Sequence, residues 1–298
     1  MKIISDLECW NHGRKSPIPG SIESPERFEG LLEELIKNRT AFGKLNRVPP
    51  YVRKLMEQTH TYVDQLIAAK EGKKVIILPD GETYIDPRTY DASLRAANCC
   101  IEAAEHTRTT GEKSFTLVRP PGHHAHREFT HGFCSGVNNV VIATKYLLSK
   151  GERVFILDID AHRGCGTQEL LAGVEGTHYF SINIAGQWPD NAFCSRPEND
   201  NIENIDLSPE GNKWDLISDD EYIQVLHDRL IPALQRFKPS IVGISAGFDT
   251  YKGHRFGFEL TERSYKEVRD LLKEQPWFAV LEGGYSPESI LAGINSLG

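Results

Sequence analysis

The sequence has no stretch of ~20 consecutive apolar residues, which removes a membrane-spanning helix from the expected elements. It has no CxxC pair and no zinc-finger spacing among its six cysteines, Cys9, Cys99, Cys100, Cys134, Cys165 and Cys194. Cys99 and Cys100 are adjacent, which argues against a paired framework, and a 298-residue chain buries a core large enough to do without disulfides. All six are expected as reduced thiols in a reducing compartment. No strong basic cluster interrupts the chain, and a formal net charge of -8 with a pI near 5.8 argues against a nucleic-acid duplex as the main ligand. The N-terminal MKIISDLECWNHGRKS turns polar after a short apolar start and lacks the longer apolar region of a secretory leader. There is no internal repeat, low-complexity tract or long linker. The expectation is a soluble, cytoplasmic chain that forms one domain over residues 1–298.

What is present is alternation. Ser24 to Asn38 opens with Ser-Pro and then sets Phe28, Leu31, Leu32, Leu35 and Ile36 at helical spacing. Pro50 to Ala69 predicts one helix or two short ones. Tyr90 to His106 predicts another, with Ala96, Ala97, Cys100, Ile101 and Ala104 on its apolar side. Val137–Leu148, Asp219–Phe237 and Thr261–Glu274 complete the long helices, and Thr167–Leu171 begins a short one. Strands are expected at Ser114–Val118, Val154–Asp160, Thr177–Ile184, Ser240–Ser245 and Phe278–Leu281. Gly186 to Ser218 is the least regular region, and Trp188, Phe193 and Trp214 mark it as an ordered surface excursion. Strands alternating with helices from Ser114 onward predict a largely parallel sheet covered on both faces. Ligands of such sheets bind beyond the carboxyl ends of the strands.

Four strands end in unusual chemistry: PPGHHAH, DIDAH, SAGFD and EGGY. In Val154–Asp160 the apolar VFIL leads into Asp158, Asp160 and His162, which alternate and so face one way where the strand runs out. Two close carboxylates repel unless a cation lies beside them, and imidazole is a common transition-metal ligand. Asp249 adds a carboxylate from another strand. Two aspartates and one histidine with an open position suit a catalytic metal better than a closed structural one, and ligand type leaves zinc, iron(II), manganese and cobalt open. His123 and His124, on a Pro-Pro-Gly turn, suit acid–base work beside a metal-activated water. Tyr285 follows two glycines and can point its phenol inward to a developing oxyanion.

The stretches SPERFEGLLEEL, LVRPPGHHA, HGFCSGVNN, DIDAHRGCGTQ, SAGFD and EGGY, in this order from Ser24 to Tyr285, make the sequence similar to the arginase-deacetylase superfamily, in its histone deacetylase and acetylpolyamine amidohydrolase branch. The resemblance implies a three-layer α/β/α fold around a mostly parallel eight-stranded sheet. It implies a zinc ion, with iron(II) or cobalt(II) as alternatives, on Asp160, His162 and Asp249. His124 would be the general base and acid, His123 its electrostatic partner, and Tyr285 the group that polarises the scissile carbonyl. Asp158 would orient His123 and share a structural potassium ion with Ser181 and with backbone carbonyls near Asp160, His162 and Ile182. Gly132 and Phe133 would line the acyl-amine tunnel, with Trp188 as the facing wall and Phe256 at the rim. The implied reaction is hydrolysis of an N-acetylated amine: acetyl-lysine, an acetylpolyamine or another small acylated amine.

The sequence departs from the family pattern at Arg163, where a second histidine is usual, and at Cys165, where an Asn or Asp usually supports His124. DTYKGHRFG replaces the usual Asp-Pro-Leu-Gly, with His254, Arg255 and Phe256 in those places. Two other readings follow from these changes. One is a protein that binds acyl-amines without turning them over. The other is a hydrolase of an ester or of a longer acyl amide.

Overall fold

The computed structural model describes all residues except 14–15, 32–33, 36–41, 44–46, 187, 190–193, 195–198, 209–215 and 255. Among the described residues its main sheet has eight strands, all parallel. From edge to edge they are Phe42–Gly43, Lys2–Ile4, Ser114–Thr116, Trp277–Leu281, Ile241–Ala246, Val154–Asp158, Thr177–Ile184 and Ile202–Leu207. The four strands whose ends carry the motifs appear along the chain as 114, 154, 241 and 277. In the sheet they are consecutive neighbours in the order 114, 277, 241, 154. The crossover connections therefore bring four separate motifs to one edge, the usual ligand-binding place of an open parallel sheet.

Val154–Asp158 shows why the sheet is covered on both sides. Phe155 and Leu157 enter one apolar cluster with Leu226, Tyr265, Val268 and Ile290 from the helices Asp219–Phe237, Glu262–Leu271 and Pro287–Leu297. Val154 and Ile156 enter the opposite cluster with Ala96, Cys100, Val140 and Leu171 from Thr89–Thr110, Asn139–Leu148 and Cys165–Leu171. A strand buried on both faces has no polar side, hence the unbroken VFIL. Pro50–Thr59 and Val63–Gly72 pack outside this second layer through Val52, Met56, Leu66 and Ile101. No helix among the described residues is long and apolar enough to cross a membrane.

Several boundaries differ from the sequence reading. Thr177–Ile184 is as expected, and Asp219–Phe237 is continuous through a π-turn at Leu226–Leu230. A capping box of Ser218 with Glu221 starts this helix. The expected Ser24–Asn38 helix opens with a 3₁₀ turn at Pro25–Phe28; Leu31, Glu34 and Leu35 are helical, and Leu32 and Ile36 lie outside the described residues. The strand after Arg153 stops at Asp158, two residues early. Within the irregular Gly186–Ser218 region, Ile202–Leu207 forms the sheet's edge strand; Phe193 and Trp214 lie outside the described residues. Its partly exposed I-E-N-I-D-L pattern belongs to an edge, where one side is wet. The expectation of six free thiols is corrected: Cys165 and Cys194 form a disulfide, while Cys9, Cys99, Cys100 and Cys134 are free and buried. Spacing along the chain carries no information about a pair made by a helix start and a distant segment that meet only after folding.

Candidate active site

Asp158 is the last residue of its strand, so Asp160 and His162 beyond it are not aligned by strand pleating. Each carboxylate instead accepts the backbone N–H two residues on. Asp160 N donates to Asp158 Oδ1 at 3.1 Å, and His162 N donates to Asp160 Oδ1 at 3.0 Å. These short-range bonds fold the loop back on itself. The neighbouring strands complete the frame: Gly283 N donates to Asp160 Oδ2 at 2.9 Å, and Ala161 N donates to Asp249 Oδ1 at 3.0 Å. His162 Nδ1 lies 3.1 Å from both Asp160 Oδ1 and Asp249 Oδ2.

Ligand atoms of Asp160, His162 and Asp249 all lie within 4.8 Å of one another; Asp160 and Asp249 are buried, and His162 is partly exposed toward the cavity. Asp249 Oδ2 is buried beside His162 Nδ1 and meets no well-oriented hydrogen-bond donor among the described residues. A Cβ on Gly247 would come within 2.2 Å of Asp160 Oδ2, and one on Gly283 within 2.7 Å of Asp249 Oδ2. Glycine is therefore required at both places for the carboxylates to converge. Two carboxylates and one imidazole that converge in this way fit a divalent transition metal.

His123 and His124 are adjacent, with ring centroids 3.9 Å apart, yet their surroundings are opposite. His123 Nδ1 lies 3.2 Å from Asp158 Oδ2, and its Nε2 lies 3.7 Å from Asp160 Oδ1. Burial would pull its pKa down, but Asp160 and Asp158 outweigh that and hold it up to about 10. His124 is buried without a carboxylate partner; burial and the positive charge of His123 keep it well below the usual 6.5. His124 Nδ1 has no hydrogen-bond partner among the described residues. His123 is thus the charged member of the pair, and His124 the neutral one that can accept a proton.

Three supports were not singled out in the sequence. Glu282 Oε2 accepts the N–H groups of Gly122 at 2.7 Å and His123 at 3.1 Å, which ties the histidine turn to the EGGY strand. Burial raises Glu282 to about 7. Tyr179 donates to Asp158 Oδ2 at 2.9 Å and accepts from Gly164 N at 3.1 Å. Arg27, from SPERF, donates to the carbonyls of Gly284 at 2.7 Å and Glu282 at 2.6 Å, and lies 5.0 Å from the centre of the Tyr285 ring. Glu23 holds Arg27 from one side and Arg119 from the other, and its carboxyl is lowered to about 2: burial opposes the shift, and the Arg119 and Arg27 charges exceed it. Glu282 stood in view inside EGGY. Arg27 and Tyr179 had no local signal, because their partners are distant in sequence.

A cavity of about 440 Å³ opens over these groups, lined by His124, Gly132, Phe133, His162, Trp188, Phe256 and Tyr285, with Ile22, Asp80 and Glu82. All four residues named for substrate contact therefore line one space. Trp188 meets His124 edge-on at 4.8 Å and His131 at 5.0 Å; Phe256 lies 4.9 Å from His162. Phe133 lies 5.8 Å from Tyr285 and adopts a left-handed φ of 63°, a conformation unfavourable for a bulky side chain and concentrated at functional sites. Burial, then Asp249 and Asp160, push the Tyr285 phenol well above its usual 10, so it is a hydrogen-bond donor at neutral pH. The two departures from the family pattern are also placed. Arg163 pairs with Asp206 of the edge strand, and Cys165 is spent in its disulfide. Asp158 and Ser181 sit opposite each other in strand register, with Ile182 next in the chain; Ser181 Oγ donates to Asn183 Oδ1 at 3.2 Å. Arg255 lies outside the described residues.

Comparison with known proteins agrees with this geometry. The chain is 34% identical over 253 residues to a probable deacetylase of Archaeoglobus fulgidus, covering 80% of this chain and 68% of that one. It is 33% identical over 230 residues to acetylpolyamine amidohydrolase 1 of Pseudomonas aeruginosa, covering 73% and 63%. Among solved structures, the HDA15 HD domain superposes with a TM-score of 0.87 at 24% identity, over 100% of this chain and 89% of that one. The acetylpolyamine aminohydrolase of Burkholderia pseudomallei superposes with a TM-score of 0.81 at 21% identity, over 99% and 97%. The histone deacetylase domain pattern matches residues 21–297, nearly the whole chain, and with these relatives it supports amide deacetylation. Matched over nearly its whole length, this chain belongs to the histone deacetylase family.

Proposed function

We infer that the protein is a metal-dependent amidohydrolase that removes the acetyl group from an N-acetylated amine, with residues 1–298 as one catalytic domain. The observation that carries this is the opposed electrostatics of the histidine pair beside the buried Asp160–His162–Asp249 cluster. Zinc, iron(II) or cobalt(II) on Asp160, His162 and Asp249 would supply an electrophile for the carbonyl oxygen and acidify a water. His124, neutral and facing the cavity, takes the proton from the attacking water and returns it to the leaving amine nitrogen. His123 keeps its charge through Asp158 and lowers the cost of the negative charge that develops nearby. Tyr285 donates its phenolic hydrogen to the tetrahedral oxyanion. Phe133, Trp188 and Phe256 enclose the alkyl part of the substrate and exclude water. Asp158, Asp160, His162, Ser181 and Ile182 form the proposed potassium site; the Asp158–Ser181 register is what supports it.

The substrate class is a small acetylated amine, an acetylpolyamine or an acetyl-lysine peptide. One relative is named an acetylpolyamine amidohydrolase, and Asp80 and Glu82 on the cavity lining are compatible with a cationic chain. The test is acetate release from acetyl-lysine peptides, acetylated polyamines, small acetylated amines and acyl esters. Each is run with zinc or iron(II), with chelator, and with Tyr285→Phe. Release that needs both metal and Tyr285 supports the reading, and the best substrate assigns the branch. A folded protein with metal bound that releases nothing from any member would replace it with an acyl-amine binding protein. Preference for the esters would assign a different acyl bond.

A further inference from the structure

The Cys165–Cys194 disulfide joins the two halves of the cavity's construction. Cys165 opens the helix Cys165–Leu171, directly after the loop that presents Asp160 and His162. That end is anchored: Gly164 N donates to Tyr179, and Tyr179 donates to Asp158. Cys194 lies in the stretch after Ile184 that also carries Trp188, and both sulfurs belong to residues only 1% exposed. Trp188 itself is 37% exposed, and its described ring contacts are with His124 and His162 of the cavity and with His131 beside it. Besides those edge contacts the ring lies over the Gly132 backbone, and a large, partly exposed aromatic side chain placed this way pays an ordering cost on binding substrate unless its position is set beforehand. The cross-link closes that stretch onto the anchored helix.

We propose that Cys194, through its disulfide to Cys165, is a positioning residue for the substrate cavity: the tether holds the Trp188 wall against the histidine pair and sets substrate affinity, leaving the chemical step to the groups beneath. This rests on the cavity being the substrate site. Forming the bond joins two thiols and releases two protons and two electrons, which a small-molecule disulfide takes up as it becomes two thiols. Opening it by a dithiol runs the same exchange in reverse.

The experiment compares wild type, Cys194→Ser and Trp188→Phe. Purified protein held with a small-molecule disulfide is alkylated without reduction and mapped by peptide mass. The expected result is a linked Cys165–Cys194 peptide and alkylation at Cys9, Cys99, Cys100 and Cys134. Acrylamide quenching of the Trp188 fluorescence, obtained by difference from Trp188→Phe, is expected to rise in Cys194→Ser. KM for a small acetylated amine is expected to rise several-fold, with kcat within twofold of wild type. Reduction of wild type with a dithiol should reproduce these changes and leave Cys194→Ser unaffected, and it serves as the test if that variant fails to fold. Absence of the linked peptide would overturn the proposal. So would unchanged quenching and KM in the folded variant, or a kcat loss with KM unchanged. Quenching requires no turnover. An inactive protein whose Trp188 exposure still follows the disulfide would count against the deacetylase reading and for the tether.

Discussion

The floor and the wall of the cavity are built on different principles. The floor is charged and fully enclosed: Asp158, Asp160 and Asp249 are at most 1% exposed, and backbone N–H groups of their own or the adjacent segments hold Asp158, Asp160 and Asp249. The wall is aromatic and half open, and ring contacts from Trp188, Phe256 and Phe133 hold it together. Buried charges tolerate little displacement, because each needs a compensating partner in a low-dielectric setting. Apolar rings exchange one contact for another at modest cost. Such a division lets the chemistry stay fixed while the substrate contact changes: DTYKGHRFG starts on the floor with Asp249 and reaches the wall with Phe256.

This contrast can be broken at the floor with the largest effect. Asp249→Ala removes one of three converging ligands and is expected to abolish metal retention, measured by elemental analysis after dialysis, together with acetate release. Tyr285→Phe deletes only the oxyanion donor; kcat should fall by about 10²–10³-fold with KM little changed, by steady-state kinetics. Glu23→Gln leaves Arg119 and Arg27 buried with one partner weakened, and should cost about 3 kcal/mol in urea unfolding. The folded Glu23 carboxyl sits at about 2, below its ordinary 4.5, so its contribution is complete above 4.5 and is lost as pH falls toward 2. Wild type should therefore lose more stability than Glu23→Gln over that interval.

At the wall the effects are smaller. Trp188→Ala should raise KM by about tenfold, equivalent to ~1.4 kcal/mol, and leave the metal content unchanged. The pH profile sharpens the contrast without a substitution. His124 is held below 6.5, so activity should remain full down to that pH, and the acidic limb of kcat/KM should lie beneath it. A limb above 6.5 would assign the base to another group.

Much of this site could be read residue by residue. The apolar VFIL run signalled a strand buried on both faces, and the change to Asp-Ile-Asp-Ala-His marked its end. Asp160, His162 and Asp249 do converge, although backbone hydrogen bonds rather than strand pleating align the first two. Other features were illegible for physical reasons. Lys2–Ile4 and Phe42–Gly43 are too short to show a period, and Ile202–Leu207 is disguised by the partly exposed side chains of an edge. Arg27 read as a helix residue because charged side chains are usually at the surface. Its role depends on two carbonyls more than 250 positions away. Gly132 and Phe133 showed no local sign of their left-handed backbone.

Local chemistry in the sequence determined which residue types end each strand and how strand and helix alternate, because periodicity and turn residues act over a few positions. Only the tertiary structure decided that four motifs scattered from His123 to Tyr285 share one edge, since that follows from strand order. It also decided which of two adjacent histidines is charged, because Asp158 and Asp160 reach one ring and not the other. It decided, finally, that Cys165, at the start of its helix, belongs with Cys194, 29 positions away, because the two are near only once the sheet has formed.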